Sequence, residues 1–173
     1  MEMTGELANG WLGTSFMPEQ ADIFLEPLLR GLAKSGRTLA DIDVQVGGSL
    51  EIDDDVDRLI EARRPAMAFT LGGMGSAKTN FYNDAFKRAG YAEAAEEVQA
   101  LWVSGDKEAA IRAVPDEMVL KTNLIGTREM IVERIKAYAA AGVTTLRIST
   151  SGQNWRERTE TLAEATDLIH SIQ

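Results

Sequence analysis

The sequence predicts an α/β fold in which parallel strands are covered by helices. Segments with strand character alternate along the chain with segments whose apolar residues recur at helical spacing. No hairpin turn signal joins two of the strands directly. This order is typical of βα repeats, which place their strands in parallel. With 173 residues, 45% of them hydrophobic, the chain is long enough for one core, so we expect a single domain over residues 1–173.

Three segments have strand character. Residues 10–16 (GWLGTSF) are a short run of apolar and small residues, as in a buried strand. Residues 43–52 alternate apolar and polar side chains, and so do residues 143–150 (VTTLRIST). We expect these three segments to form the sheet.

Helical patterns fill most of the remaining chain. The pattern over residues 55–71 contains Pro65, which we expect to interrupt the helix. Residues 79–123 break at each Gly or Pro and predict several short helices. Thr127 as N-cap and Gly142 as terminator delimit a clear helix. The other helical patterns are TGELANGW at the start, residues 18–36 with a kink at Pro27 or a start at Glu26, and an amphipathic helix at the end.

Composition excludes several classes of function. The net charge of -9 argues against a nucleic-acid surface, which needs clustered Lys and Arg. No apolar run of about 18 residues could span a bilayer and no signal peptide is recognisable, so we expect a cytoplasmic protein. The chain contains no cysteine, and His170 is favoured as a surface residue over a catalytic base. We expect a small-molecule or protein partner and no metal.

Five stretches, in this order, carry a family resemblance: ELANGW, GRTLADIDV, GGMGSAKTNFYND, AVPDEMV and LIGTREMIVERIKAYAAAGVTTL. Together they resemble the C-terminal half of the luciferase-like monooxygenase superfamily, specifically its F420-dependent oxidoreductases. The resemblance implies a partial (β/α)₈ TIM barrel of about strands six to eight, since a whole barrel needs about 250 residues. It also implies parallel strands and a helical excursion, about residues 72–125, between the last two strands.

The resemblance implies an enzyme that transfers a hydride between coenzyme F420, or FMN as the alternative, and a small organic substrate. The cofactor supplies that chemistry, while the protein orients the reactants and excludes water. The other function left open is a non-catalytic truncated half-barrel. Such a half-barrel would dimerise or pair with a separate N-terminal half, because exposed edges of a parallel sheet need covering.

Candidate site residues follow the predicted strands, because the chemistry of such barrels lies at the carboxyl ends of the strands. Hydroxyl side chains there can donate to a cofactor oxygen, although they can equally cap the following helix. Aromatic residues nearby can line a substrate pocket or simply pack. No catalytic residue is assigned. The candidates are Thr14, Ser15 and Ser149 for the cofactor and Phe16, Phe81 and Tyr82 for the substrate pocket.

The segment LGGMGSAKTNFYND, residues 71–84, resembles a phosphate-binding P-loop only in part. Such a loop follows a strand and has a glycine directly before its lysine. Here Ala77 precedes Lys78 and the preceding segment is predicted to be helical. We therefore expect a flexible connection beside the mouth of the barrel.

Two charged features have competing interpretations. Arg147 falls on the face of its strand that would point into a barrel, so we expect it to pair with Glu51 or another acid, the alternative being a solvated arginine at an open edge. The acidic run EIDDDVD, residues 51–57, could bind a divalent metal. The favoured interpretation is the start of a helix, where acids interact well with the helix dipole.

Overall fold

The computed structural model describes residues 1–76, 78–150, 152 and 154–172. Short turns of 3-10 helix lie at Pro18–Gln20 and Leu39–Asp41, and a π-helical segment lies at Lys87–Tyr91. The elements are α1 (Glu2–Leu7), β1 (Gly10–Leu12), α2 (Asp22–Lys34), β2 (Asp43–Ile52), α3 (Val56–Gly72), α4 (Phe81–Phe86), α5 (Ala92–Ser104), α6 (Lys107–Arg112), α7 (Asp116–Thr122), β3 (Leu124–Gly126), α8 (Arg128–Ala140), β4 (Thr145–Thr150) and α9 (Trp155–Ile172).

All strand pairs among the described residues are parallel, which confirms the predicted α/β class. β2 is central: β1 pairs with its first three residues, β3 with its last three and β4 with the stretch from Gln45 to Leu50. The described sheet has four strands and does not close on itself. The prediction of three strands missed β3, and β1 ends at Leu12 instead of residue 16 because the chain turns there.

The chain divides into two compact units. The sheet unit contains residues 1–54 and 122–173 and carries all the described strands. The helical unit contains residues 55–121, and its described residues form helices and connecting turns but no strand. It includes α3, which the sequence had placed before the excursion. The single domain over residues 1–173 and the excursion bounds of about 72–125 stay predictions.

The sheet unit has one apolar face and one polar face. Val44, Val46 and Leu50 of β2 are buried, and the residues between them are polar or glycine and only half-buried. In register with those, every second residue of β4 is exposed. We call this polar side the open face of the sheet; its residues are Asp43, Gln45, Ser49, Glu51, Thr145, Arg147 and Ser149.

Two glycines allow α1 and α2 to pack closely. A Cβ on Gly31 would lie 1.8 Å from the Glu2 carbonyl oxygen, and a Cβ on Gly5 would lie 2.1 Å from the Leu28 carbonyl oxygen. No side chain fits at either position, so the two backbones are in direct contact. Arg37 closes the C-terminal end of α1 by donating to the Ala8 carbonyl oxygen at 2.8 Å.

Within the helical unit, α3 packs against α5 and α6. Two buried asparagines fasten the end of α3 to α4 and α5. Asn80 donates to the Leu71 carbonyl oxygen at 2.8 Å, and its own oxygen accepts from the backbone N–H of Asn83 at 3.1 Å. Asn83 donates to the carbonyl oxygens of Leu71 and Ala95, at 2.9 and 2.7 Å. Several short helices follow one another here, as predicted for residues 79–123.

Candidate functional site at the strand ends

The carboxyl ends of the strands lie at one edge of the sheet because all the strands are parallel. β1 leads directly into the segment of residues 13–17, which we call the Ser15 loop. Thr14 is exposed and Ser15 half-buried, so both predicted hydroxyl groups are at or near the surface at this edge. Neither residue caps α2, whose N-cap residue, Ala21, makes no side-chain hydrogen bond.

Ser15 has an unusual backbone conformation. Its φ of 55° places it in the left-handed region, and no other non-glycine residue in the described part of the chain has a positive φ. For an L-residue this conformation costs about 1–2 kcal/mol, and it persists only where the surroundings impose it. Such residues concentrate at ligand-binding and active sites, which makes the Ser15 loop the strongest site candidate in the sheet unit.

The Ser15 loop is fixed on both sides of the serine. The Gly13 N–H donates to the Gln45 carbonyl oxygen at 2.8 Å, and Gly13 is buried. Phe16 is 1% exposed and its ring packs against those of Trp11, Phe24 and Tyr138. The Phe16 ring thus faces protein on several sides. Its assignment to a substrate pocket stays a prediction.

Ser149 lies on β4 next to Ser49 of β2, and both are on the open face. The Ser149 side chain is exposed to solvent. On the neighbouring strand, the backbone N–H of Ser49 donates to the Asn123 side-chain oxygen at 3.3 Å. The last residue of β1 is paired with Gln45 of β2, which lies four residues before Ser49. The end of β1 and Ser149 are therefore separated by about 13 Å along the strand direction. No hydrogen bond between described residues joins Ser149 to the Ser15 loop.

The prediction that Arg147 pairs with an acid is wrong for this chain. Arg147 is exposed, and within the described part of the chain it makes neither an ion pair nor a side-chain hydrogen bond. The physical reason is the open face: solvent satisfies the guanidinium, so no buried charge requires a partner. The alternative, a solvated arginine, is confirmed.

The glycine-rich segment of the helical unit is not a P-loop. It follows α3 rather than a strand, and Ala77 lies outside the described residues. Its first two glycines make room for a tryptophan: a Cβ on Gly72 would lie 2.3 Å from the Trp102 Cβ, and one on Gly73 3.0 Å from its ring nitrogen. The glycines therefore serve helix packing.

The two aromatic residues after this segment differ in environment. Phe81 is 62% exposed and Tyr82 is half-buried, and the two rings contact edge to face with centroids 6.0 Å apart. Phe81 therefore does not pack into the core of the helical unit. The assignment of both residues to a substrate pocket stays a prediction.

The remaining charged features have structural roles. Asp55 caps α3 by accepting from the Arg58 N–H at 3.1 Å, which confirms the helix-start interpretation of the acidic run. Among the described residues, no group of three His, Cys, Asp or Glu side chains could hold a metal ion. His170 is exposed in the last turn of α9, as expected. None of the described helices has the length and apolar character needed to cross a membrane.

Comparison with known families decides how the chain is classified. The model of the family described as "Luciferase-like monooxygenase" matches residues 1–145, most of the chain. The chain belongs to the luciferase-like monooxygenase family. This confirms the resemblance inferred from the ordered motifs.

Individual relatives of the chain are oxidoreductases or reductases by name. A Mycobacterium tuberculosis protein named as a coenzyme F420-dependent oxidoreductase is 31% identical over 149 residues, covering 85% of this chain and 43% of that protein. The 5,10-methylenetetrahydromethanopterin reductase of Methanopyrus kandleri is 30% identical over 145 residues, covering 83% of this chain and 40% of the reductase.

A solved structure of a reductase is also similar to this chain. The coenzyme F420 dependent tetrahydromethanopterin reductase from Methanopyrus kandleri superposes with a TM-score of 0.73 at 26% identity, covering 99% of this chain and 48% of that one. The luciferase-like chain described here therefore spans less than half the length of each of these relatives.

Sequence reasoning missed one residue of the candidate site. Tyr138 of α8 is 1% exposed and lies against Phe16 with ring centroids 6.0 Å apart, although the two are far apart in sequence. The available signal was its position one helical turn after Arg134 on the predicted helix, but nothing local connects that helix to the Ser15 loop.

Proposed function

We propose that this chain forms part of an F420-dependent oxidoreductase that transfers a hydride between coenzyme F420 and a small organic substrate. Membership of the luciferase-like family and two relatives that are F420-dependent by name support this choice of cofactor over FMN. The observation that carries the proposal is the left-handed Ser15 at the carboxyl end of β1.

The donors at the strand ends fit such a cofactor. Thr14, Ser15 and Ser149 each present a hydroxyl group, which can donate to a phosphate or carbonyl oxygen. Ser15 also has a left-handed backbone conformation, which is strained for an L-residue and is common at binding sites. When bound, the deazaflavin ring of the cofactor supplies the hydride chemistry. The chain would contribute orientation through Thr14 and Ser15, with Ser149 as a third donor.

Fluorescence titration with F420 and with FMN tests the proposal. We expect the chain to bind F420 more tightly than FMN. Replacing Thr14 by Ala or Ser15 by Gly should raise the F420 dissociation constant about fivefold to tenfold, the effect of one hydrogen bond. Ser104→Ala, an exposed serine at the end of α5, is the control and should leave it unchanged. Absence of F420 binding, or equal binding by all variants, would contradict the proposal.

A second candidate rests on the open face of the sheet. Parallel sheets occur almost only with both faces covered, yet here the face carrying Gln45, Arg147 and Ser149 is exposed or half-exposed. We propose that the chain is a partial (β/α)₈ barrel whose open face is covered by a second copy or by a separate N-terminal half. In this form the isolated chain is not catalytic.

Mass in solution separates the two candidates. Sedimentation equilibrium of the chain, with and without F420, reports its oligomeric state. A monomer that binds F420 supports the enzyme, and a dimer that does not bind F420 supports the half-barrel. A matched variant, Arg147→Glu, places the opposite charge at the centre of the open face and should weaken a dimer formed there. A dimer unaffected by this change would use another surface.

A further inference from the structure

We infer that Tyr138 and Arg134 of α8 are positioning residues for the Ser15 loop. By holding this loop, they also position the hydroxyl groups of Thr14 and Ser15 that contact the cofactor. The inference rests on the proposed function for its cofactor part. Its structural part concerns a helix that lies far along the chain from β1 yet contacts the loop at Phe16 and the 3-10 turn just after the loop at Glu19.

The first contact is made by Tyr138. Its hydroxyl donates to the Phe16 carbonyl oxygen at 3.4 Å, the carbonyl directly after Ser15. Its ring stacks on the Phe16 ring at an interplanar angle of 30°. Burial raises the pKa of the Tyr138 hydroxyl, so the group remains a neutral donor at physiological pH. One side chain thus holds both the backbone and the ring of Phe16.

The second contact is made by Arg134, one turn before Tyr138. Its guanidinium forms an ion pair with Glu19, which lies in the 3-10 turn just after the Ser15 loop. The same guanidinium lies over the Tyr138 ring, 5.5 Å from the ring centroid. Arg134 therefore orients Tyr138 and also fixes the chain segment where the loop ends.

These contacts explain why Ser15 keeps its left-handed conformation. The loop is anchored before Ser15 by Gly13 on β2, and after it by Tyr138 and Arg134. With both ends held, Ser15 cannot relax without breaking one of these contacts. A strained residue at a binding site requires this kind of support from the residues around it.

Two variants of the full chain test the inference. Tyr138→Phe keeps the ring and removes the hydroxyl, and Arg134→Met keeps an aliphatic stem and removes the charge. For each, hydrogen exchange of the peptide covering residues 13–20 and the F420 dissociation constant are measured. We expect both exchange rate and dissociation constant to rise about fivefold, as for the loss of one hydrogen bond. Ile131→Val, a buried change elsewhere on α8, is the control and should change neither.

The possible results test the positioning role, the link to the cofactor and the proposed function separately. Unchanged exchange at residues 13–20 in both variants would overturn the positioning role, whether or not F420 binds. Faster exchange with an unchanged F420 dissociation constant would overturn the link to the cofactor. Failure of the unaltered chain to bind F420 would contradict the proposed function, while the exchange measurement would still decide whether α8 holds the loop. Should Tyr138→Phe not fold, Arg134→Met carries the same test.

Discussion

The hydroxyl of Thr144 takes the place of a strand hydrogen bond to Val44. It accepts from the Val44 N–H at 2.8 Å, while the Thr144 N–H donates to the Val44 carbonyl oxygen at 3.1 Å. The same hydroxyl contacts the carboxylate of Asp43, which also accepts from the Thr145 hydroxyl at 2.9 Å. Hydrogen bonds between β2 and the chain leading into β4 therefore begin one residue before β4. They lie at the amino-terminal end of the sheet, the end of a barrel that contributes to stability.

Replacing Thr144 by Val should lower the free energy of unfolding by about 1–2 kcal/mol, because the N–H of buried Val44 loses its acceptor. Valine keeps the shape of threonine, so the change isolates the hydroxyl. Urea denaturation measures the effect. The control is Thr159→Val, whose hydroxyl donates to a carbonyl on the exposed surface of α9. An equal loss in both variants would contradict the role given to Thr144.

Replacing Gly31 by Ala tests the close contact of α1 with α2. In an ordinary helix this substitution gains up to about 1 kcal/mol, because alanine has the better helix propensity. At Gly31 the new Cβ would lie 1.8 Å from the Glu2 carbonyl oxygen, so we expect a net loss of about 1–3 kcal/mol from overpacking. Thermal or urea unfolding decides the sign. A more stable variant would mean that α1 does not pack there.

The sequence was sufficient for the elements with strong local signals. β2 was predicted with its observed bounds, and the N-cap of α8 was predicted correctly, because Thr127 accepts from the Met130 N–H. The predicted helix start at Glu26 and the predicted interruption at Pro65 were wrong, whereas the alternative of a kink at Pro27 stays a prediction. α2 contains Pro27 and α3 contains Pro65, and both helices run through them. Packing of a helix against its neighbours outweighs one missing hydrogen bond, which no local pattern can reveal.

The candidate site was harder to predict than the fold. Ser15 was chosen because it follows a strand, but its left-handed conformation depends on contacts with residues far along the chain. Tyr138 reaches Phe16 only after the chain has passed through the whole helical unit. β3 was missed because three residues carry no measurable alternation. Contacts between residues so far apart in sequence form only in the folded chain. The family motifs give the order of segments along the chain and do not show which side chains touch.

The pKa of Glu2 makes part of the stability depend on pH. Hydrogen bonds from Lys34 and Arg30 lower this pKa from 4.5 to about 2. In the unfolded chain the group returns to its ordinary pKa, so the folded state favours the ionised form. The stabilisation is therefore complete above about pH 4.5 and is lost as the pH falls towards 2.

Glu2→Gln should remove this contribution, so the stability of the variant should fall less than that of the parent chain between pH 6 and about pH 2.5. Urea midpoints across that range measure the difference. Glu26→Gln, an exposed glutamate on α2, provides the comparison and should follow the parent chain. Parallel curves for Glu2→Gln and the parent would show that the ion pairs with Lys34 and Arg30 do not form in solution.

Replacing Ser15 by Gly should separate stability from binding. Glycine adopts a φ of 55° without a Cβ penalty, so we expect the variant to be as stable as the parent chain or up to about 1 kcal/mol more stable. The hydroxyl is lost at the same time, so F420 binding should weaken. Ser15→Ala loses the hydroxyl but keeps the strain, and should show the weaker binding without the gain in stability. The two measurements are urea unfolding and F420 titration of the same preparations. A Gly variant that loses stability would show that Ser15 is not held in the left-handed region.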